Sequence, residues 1–121
     1  MARVLALTAD LLFGSRLVAS LTAAGHDVQL VAGEAELREA LVEGGAQALV
    51  VDLTDDRLDG AQAVRALARE LSHTRTLAYY SHVDPAARER ALEAGVELAV
   101  PRSRMAREAD ALVAGLIAHE R

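Results

Sequence analysis

Ala48-Leu49-Val50-Val51-Asp52-Leu53-Thr54-Asp55-Asp56-Arg57-Leu58-Asp59-Gly60 is the stretch that decides the fold. Its first four residues are apolar without polar alternation, which predicts a strand buried on both faces, as in a parallel sheet covered by helices. Asp52 closes the run, so its carboxylate falls at the carboxyl end of a central strand, where open α/β sheets carry their functional groups. Asp59-Gly60 precedes a helical pattern, and Asp59 reads as the cap of that helix. Asp55 and Asp56 read as residues that solvate the intervening loop.

Strands and helices alternate outward from this stretch. Residues 4–7, 28–31, 76–80 and 98–100 are short apolar runs and predict four further strands, with the central one over 48–53. Leu12 or Phe13, Leu17, Leu21 and Ala24 recur at helical spacing before Gly25. Leu37, Leu41 and Val42 mark a second helix ended by Gly44-Gly45, and Val64, Leu67 and Leu71 line a third. Asp84-Pro85 predicts a helix start, with Asp84 as the N-cap acceptor and proline in the first turn. Ala87, Ala91 and Leu92 follow it up to Gly95, and Met105, Ala109, Leu112, Val113, Leu116 and Ile117 form the stripe of a last helix. Five strand–helix pairs with right-handed crossovers make an α/β, three-layer αβα fold.

Composition narrows the function classes. The chain has 121 residues, which fits one domain spanning 1–121. Hydrophobic residues are 52% and aromatics only 2%, so the core must be built of Ala, Leu and Val. A net charge of −5 argues against a nucleic-acid partner. There is no cysteine, which excludes disulfides and thiolate metal sites. No apolar run approaches the ~20 residues that span a bilayer, and the Met1-Ala2-Arg3 start lacks a signal-peptide layout, so the expectation is a cytoplasmic protein without a membrane partner. All 13 Lys+Arg residues are arginine. His26, His73, His82 and His119 show no metal-ligand spacing; His82 falls at the presumed functional edge. The stretch 8–16 holds a single glycine, Gly14, too few for a dinucleotide-binding turn.

Val51-Asp52-Leu53, the Leu58-Asp59-Gly60 after it, Ala91-Leu92-Glu93-Ala94-Gly95 before the fifth strand, and Ala24-Gly25-His26-Asp27-Val28 occur in the order and spacing of one family. Across its whole length the chain resembles the receiver domains of response regulators. The resemblance implies a flavodoxin-like five-stranded parallel sheet of order 2-1-3-4-5, with Asp52 as the candidate phosphoacceptor. It also implies an acidic pair after the first strand that holds Mg²⁺, a hydroxyl after the fourth strand and a lysine after the fifth, which hold the phosphoryl oxygens.

This sequence departs from that pattern. Aligned without gaps, the acidic pair falls on Thr8 and Ala9, neither of them acidic. Asp10 and Asp52 are the carboxylates left to reach a metal, too few to offset the dehydration of Mg²⁺, so no cofactor is expected. Ser81 matches the hydroxyl position if the following loop is one residue short; otherwise Tyr80 takes the slot. The lysine position falls on Arg102, flanked by Pro101 and Ser103, and the aromatic switch position falls near Ala99, with Tyr79 and Tyr80 one strand away. Arginine presents a wide planar fork where lysine is a compact charge. Asp52 therefore has two readings: an acceptor in a remodelled site, or a structural residue paired with Arg102 across the top of the sheet.

The expectation is a stand-alone, atypical receiver-like signalling domain, not an enzyme. It would act through a signalling protein bound on the face of the fourth helix, fifth strand and fifth helix, without Mg²⁺-dependent phosphorylation. Arg88, Arg90, Arg104 and Arg107 would give that face a basic character. A monomer or weak homodimer is expected. The alternatives are a phosphorylation-competent receiver working through Asp52 and a small-molecule-binding flavodoxin-like domain.

Overall fold

In the computed structural model, which describes residues 2–118, strands and helices alternate throughout. They are β1 (Arg3–Leu7), α1 (Leu11–Ala23), β2 (Asp27–Val31), α2 (Glu34–Gly44), β3 (Ala48–Asp52), α3 (Gly60–Ala66), β4 (Arg75–Tyr80), α4 (Pro85–Ala94), β5 (Leu98–Pro101) and α5 (Arg102–Ala118). The five strands form one sheet of order β2-β1-β3-β4-β5, and every neighbouring pair is parallel. This is the flavodoxin-like topology that the receiver-domain resemblance implies. The register sets Leu7 opposite Val51 and Asp52 opposite Tyr79, so the ends of β1, β3 and β4 share one edge.

Strand periodicity divides the core in two. Leu5, Leu7, Leu49, Val51 and Ala78 face the layer containing α2, α3 and α4, where Leu37, Leu41, Val64 and Ala91 meet them. Val4, Ala48, Val50, Leu77, Tyr79 and Val100 face α1 and α5, meeting Phe13, Leu17, Leu21, Met105 and Leu112. Both faces of β3 are covered, which is why its sequence shows no polar alternation.

Of the two candidates for the first inward position of α1, Phe13 turns inward and Leu12 is 68% exposed, while Ala24, expected in the same stripe, is exposed. In α2, Ala40 fills the inner position and Val42 is 73% exposed, because 37, 40 and 41 complete the inward stripe and 42 lies beyond it. The third helix stops at Ala66; Leu67 and Leu71 are still buried, but from the turns that follow. Asp84 occupies the N-cap position before Pro85, yet its side chain makes no cap bond and pairs with Arg90 Nη2 at 3.5 Å. The fourth helix ends as expected at Gly95, whose φ of 109° places it in the left-handed region.

Asp59 caps α3 as its sequence position predicts, accepting a hydrogen bond from Gln62 N at 3.0 Å. Gly60 brings the first turn of α3 hard against β3. A Cβ there would stand 2.6 Å from Val51 Cγ1 and 2.9 Å from the Asp52 carbonyl oxygen. Gly60→Ala is therefore expected to lower stability by about 1–3 kcal/mol, because the helix start must move off the strand. Thermal unfolding beside wild type checks this; an unchanged midpoint would show that the contact yields without cost.

Candidate functional site

Three hydrogen-bond donors converge on Asp52, which is 1% exposed. Thr8 Oγ1 donates to Oδ2 at 2.6 Å, and Thr54 donates to Oδ1 through both its backbone N–H and its hydroxyl, each at 2.7 Å. Thr8 reaches Asp52 because β1 and β3 are neighbours and both end at this edge. The Thr8 hydroxyl also accepts from Asp10 N at 3.0 Å, so its own proton is directed to Asp52. Both carboxylate oxygens are thus satisfied by neutral donors from this chain.

Asp10 is committed elsewhere. It is the N-cap of α1, with Oδ1 accepting from Phe13 N at 3.0 Å. Its Oδ2 accepts from Arg102 Nη2 at 3.3 Å. The expected Asp52–Arg102 bridge is therefore not formed. Arg102 pairs with Asp10 because Asp10 is half-exposed at the rim, whereas Asp52 lies buried beneath and already has its donors. The Arg102 guanidinium also lies 4.4 Å from the centroid of the Phe13 ring, whose other contact is Tyr79, with ring centroids 4.9 Å apart.

Tyr79 is 1% exposed and its hydroxyl is buried without a hydrogen-bond partner among the described residues. Burial, and then the negative charge of Asp52, push its pKa well above the ordinary tyrosine range; the Thr8 hydroxyl acts in the opposite direction.

A cleft of about 960 Å³ opens above this cluster, lined by Phe13, Arg16, Thr54, Ser81 and Arg102 among others; neither Asp52 nor Thr8 lines it. Ser81 lines the cleft and Tyr80 does not. Its Oγ accepts from Val83 N at 3.4 Å, a bond within its own turn. His82 lies on the rim, and His119 lies outside the described residues. Asp55 does more than solvate its loop. Arg57 grips it through Nε at 3.0 Å and Nη2 at 2.8 Å, and these side-chain hydrogen bonds hold its carboxyl below the usual range.

The residues do not fit Mg²⁺. At the acidic-pair positions stand a hydroxyl already engaged and the methyl group of Ala9. Asp52 and Asp10 have all four oxygens occupied by other partners, and no cluster of His, Asp or Glu among the described residues could hold a metal.

The arginines on α4 and α5 are also less available than their number implies. Arg88 pairs with Glu89, Arg90 with Asp84, and Arg104 and Arg107 with Glu108. Each expected basic residue of that face has a carboxylate within one to six positions, so the face is mixed in charge. Sequence reading missed Thr54, the Phe13–Tyr79 stack and the capping role of Asp10. The last was accessible, since an Asp directly before an apolar helical run is a start signal.

Neither a family profile nor a curated protein matches the sequence. Solved structures do match its fold. The receiver domain of the TMAO respiratory system response regulator TorR is 24% identical, with 97% of each chain covered and a TM-score of 0.85. A response regulator described as putative from Chloroflexus aurantiacus J-10-fl is 19% identical over 98% of each chain, at 0.86. The receiver domain of sensor histidine kinase PA1611 from Pseudomonas aeruginosa PAO1, solved with a magnesium ion in its active-site cleft, is 19% identical over 98% of each chain, at 0.84. The chain has the fold of response-regulator receiver domains.

Proposed function

We propose that the chain is a receiver-type signalling domain that acts through protein–protein contact and has given up aspartyl phosphorylation. The observation that carries this reading is the state of Asp52. Both its oxygens accept hydrogen bonds from Thr8 and Thr54, and no group of His, Asp or Glu among the described residues could hold a metal. Phosphoryl transfer onto a carboxylate needs charge neutralisation at the reacting oxygen and an open line of approach. Here the metal ligands are gone and the nucleophile lies under the floor of the cleft. Ser81 and Arg102 are the residues that the family resemblance assigns to phosphoryl contacts, and Arg102 is tied to Asp10.

The partner surface in this reading is the face of α4, β5 and α5. Its edge strand carries Leu98, 37% exposed beside Leu112 and Leu116 of α5, and paired charges lie on both helices. A face that mixes apolar and charged residues suits a transient protein partner. The domain would work in the cytoplasm as a monomer or weak homodimer, with no nucleic-acid role. No helix among the described residues is long and apolar enough to cross a membrane.

Incubation with acetyl phosphate and Mg²⁺, followed by intact-mass measurement, tests the loss of phosphorylation. No phosphate adduct is expected. An adduct that disappears in Asp52→Asn would overturn the reading and restore Asp52 as a working acceptor.

A further inference from the structure

We propose that Asp10, Phe13 and Arg102 form a salt-sensitive latch over the Asp52 pocket, and that residues 102–107 of α5 swing as a unit when it opens. The cover is three layers deep. Arg102 lies on Phe13 at 4.4 Å, Phe13 lies on Tyr79 at 4.9 Å, and the Tyr79 hydroxyl is buried with Asp52 and Thr8. Phe13, Thr54 and Arg102 line the cleft while Asp52 and Thr8 do not, so these side chains separate the buried cluster from solvent.

The fastening is light. Between α1 and the start of α5 it consists of one 3.3 Å hydrogen-bonded ion pair whose side chains are 45% and 34% exposed, together with the ring contact. Partly exposed ion pairs and cation–π contacts are individually small, and the first is screened by salt.

The hinge is in the helix itself. Glu108 has φ −128° and ψ 23°, outside helical geometry, and divides α5 in two. Beyond it, Ala109, Leu112, Val113 and Leu116 anchor the helix in the core. Before it only Met105 is buried, and residues 102, 103, 104, 106 and 107 are exposed. Two long ion pairs run from this segment to the hinge residue, Arg104 to Glu108 at 3.6 Å and Arg107 to Glu108 at 3.8 Å. A short segment with one apolar anchor and several screened ion pairs belongs to the low-stability end of a fold.

Amide hydrogen exchange on the full chain tests this, at low salt and at roughly 1 M NaCl, where the Debye length falls to about 3 Å. Exchange of residues 10–14 and 102–107 should rise about three- to tenfold in high salt, with α3, which carries no ion pair among the described residues, as the unmoved control. Arg102→Gln at low salt should give the same local rise, and adding salt to it should add little in residues 10–14. Salt-independent exchange of both segments in wild type would overturn the latch. So would a rise spread equally through α3, which means general loosening. The wild-type salt series decides the matter even if the variant folds poorly. The measurement involves no phosphodonor, so its failure is distinct from failure of the proposed function.

Discussion

Asp52→Ala is expected to lower the unfolding free energy by about 3 kcal/mol, since buried donors left without an acceptor cost about 1–3 kcal/mol each and a water entering the space recovers part of it. The sign carries the information. In a site where several carboxylates crowd together to hold a metal, removing one relieves repulsion and raises stability. Here the neighbours of Asp52 are donors: Thr8 Oγ1, Thr54 N and Thr54 Oγ1, at 2.6, 2.7 and 2.7 Å. Removing their common acceptor strands all three. Asp52→Asn should cost less, about 1 kcal/mol, because one oxygen still serves Thr54 and the new N–H₂ group can donate to the Thr8 hydroxyl. Urea unfolding of wild type and both variants gives the order. A stabilised Asp52→Ala would show that the residue is retained for chemistry at the expense of the fold.

The sequence displays what depends on periodicity and hides what depends on adjacency. The apolar run before Asp52, the stripe of α5 and the cap at Asp59 are local patterns, and all three appear in the structure. Sheet order followed from the family resemblance together with the strand–helix alternation. The contents of the site were not local. Arg102 and Asp10 are 92 positions apart, and nothing in the spacing says that Asp10, rather than Asp52, takes the guanidinium. That choice follows from depth: the rim carboxylate is reachable, and the buried one already has Thr8 and Thr54. Thr8 was legible as a lost acid but not as a donor, because its role requires the β1–β3 pairing. The α4–α5 arginines looked free because charge was counted by sign; their partners, Asp84, Glu89 and Glu108, stand close by in the same helices or at their caps.

Above pH 10 the folded chain should lose stability along a slope that Tyr79→Phe removes. Burial and the charge of Asp52 raise the Tyr79 pKa above its ordinary 10.0, so the fold holds the proton that the unfolded chain releases. Below that ordinary value both states are protonated and the full stability is present. Above it the unfolded state gains, by about 1.4 kcal/mol for each further pH unit until the folded pKa is reached. Few other groups confuse the readout. The chain has no lysine and no cysteine, and its tyrosines are Tyr79 and Tyr80. At neutral pH, Tyr79→Phe should change stability by less than about 1 kcal/mol, because the hydroxyl it deletes is buried and without a partner among the described residues. Urea midpoints measured from pH 9 to 11 for the two proteins decide it, and parallel slopes would sink the prediction. Asp52→Asn separates the two causes: it removes the charge and leaves the burial, so the alkaline slope should persist in that variant, burial being the larger cause.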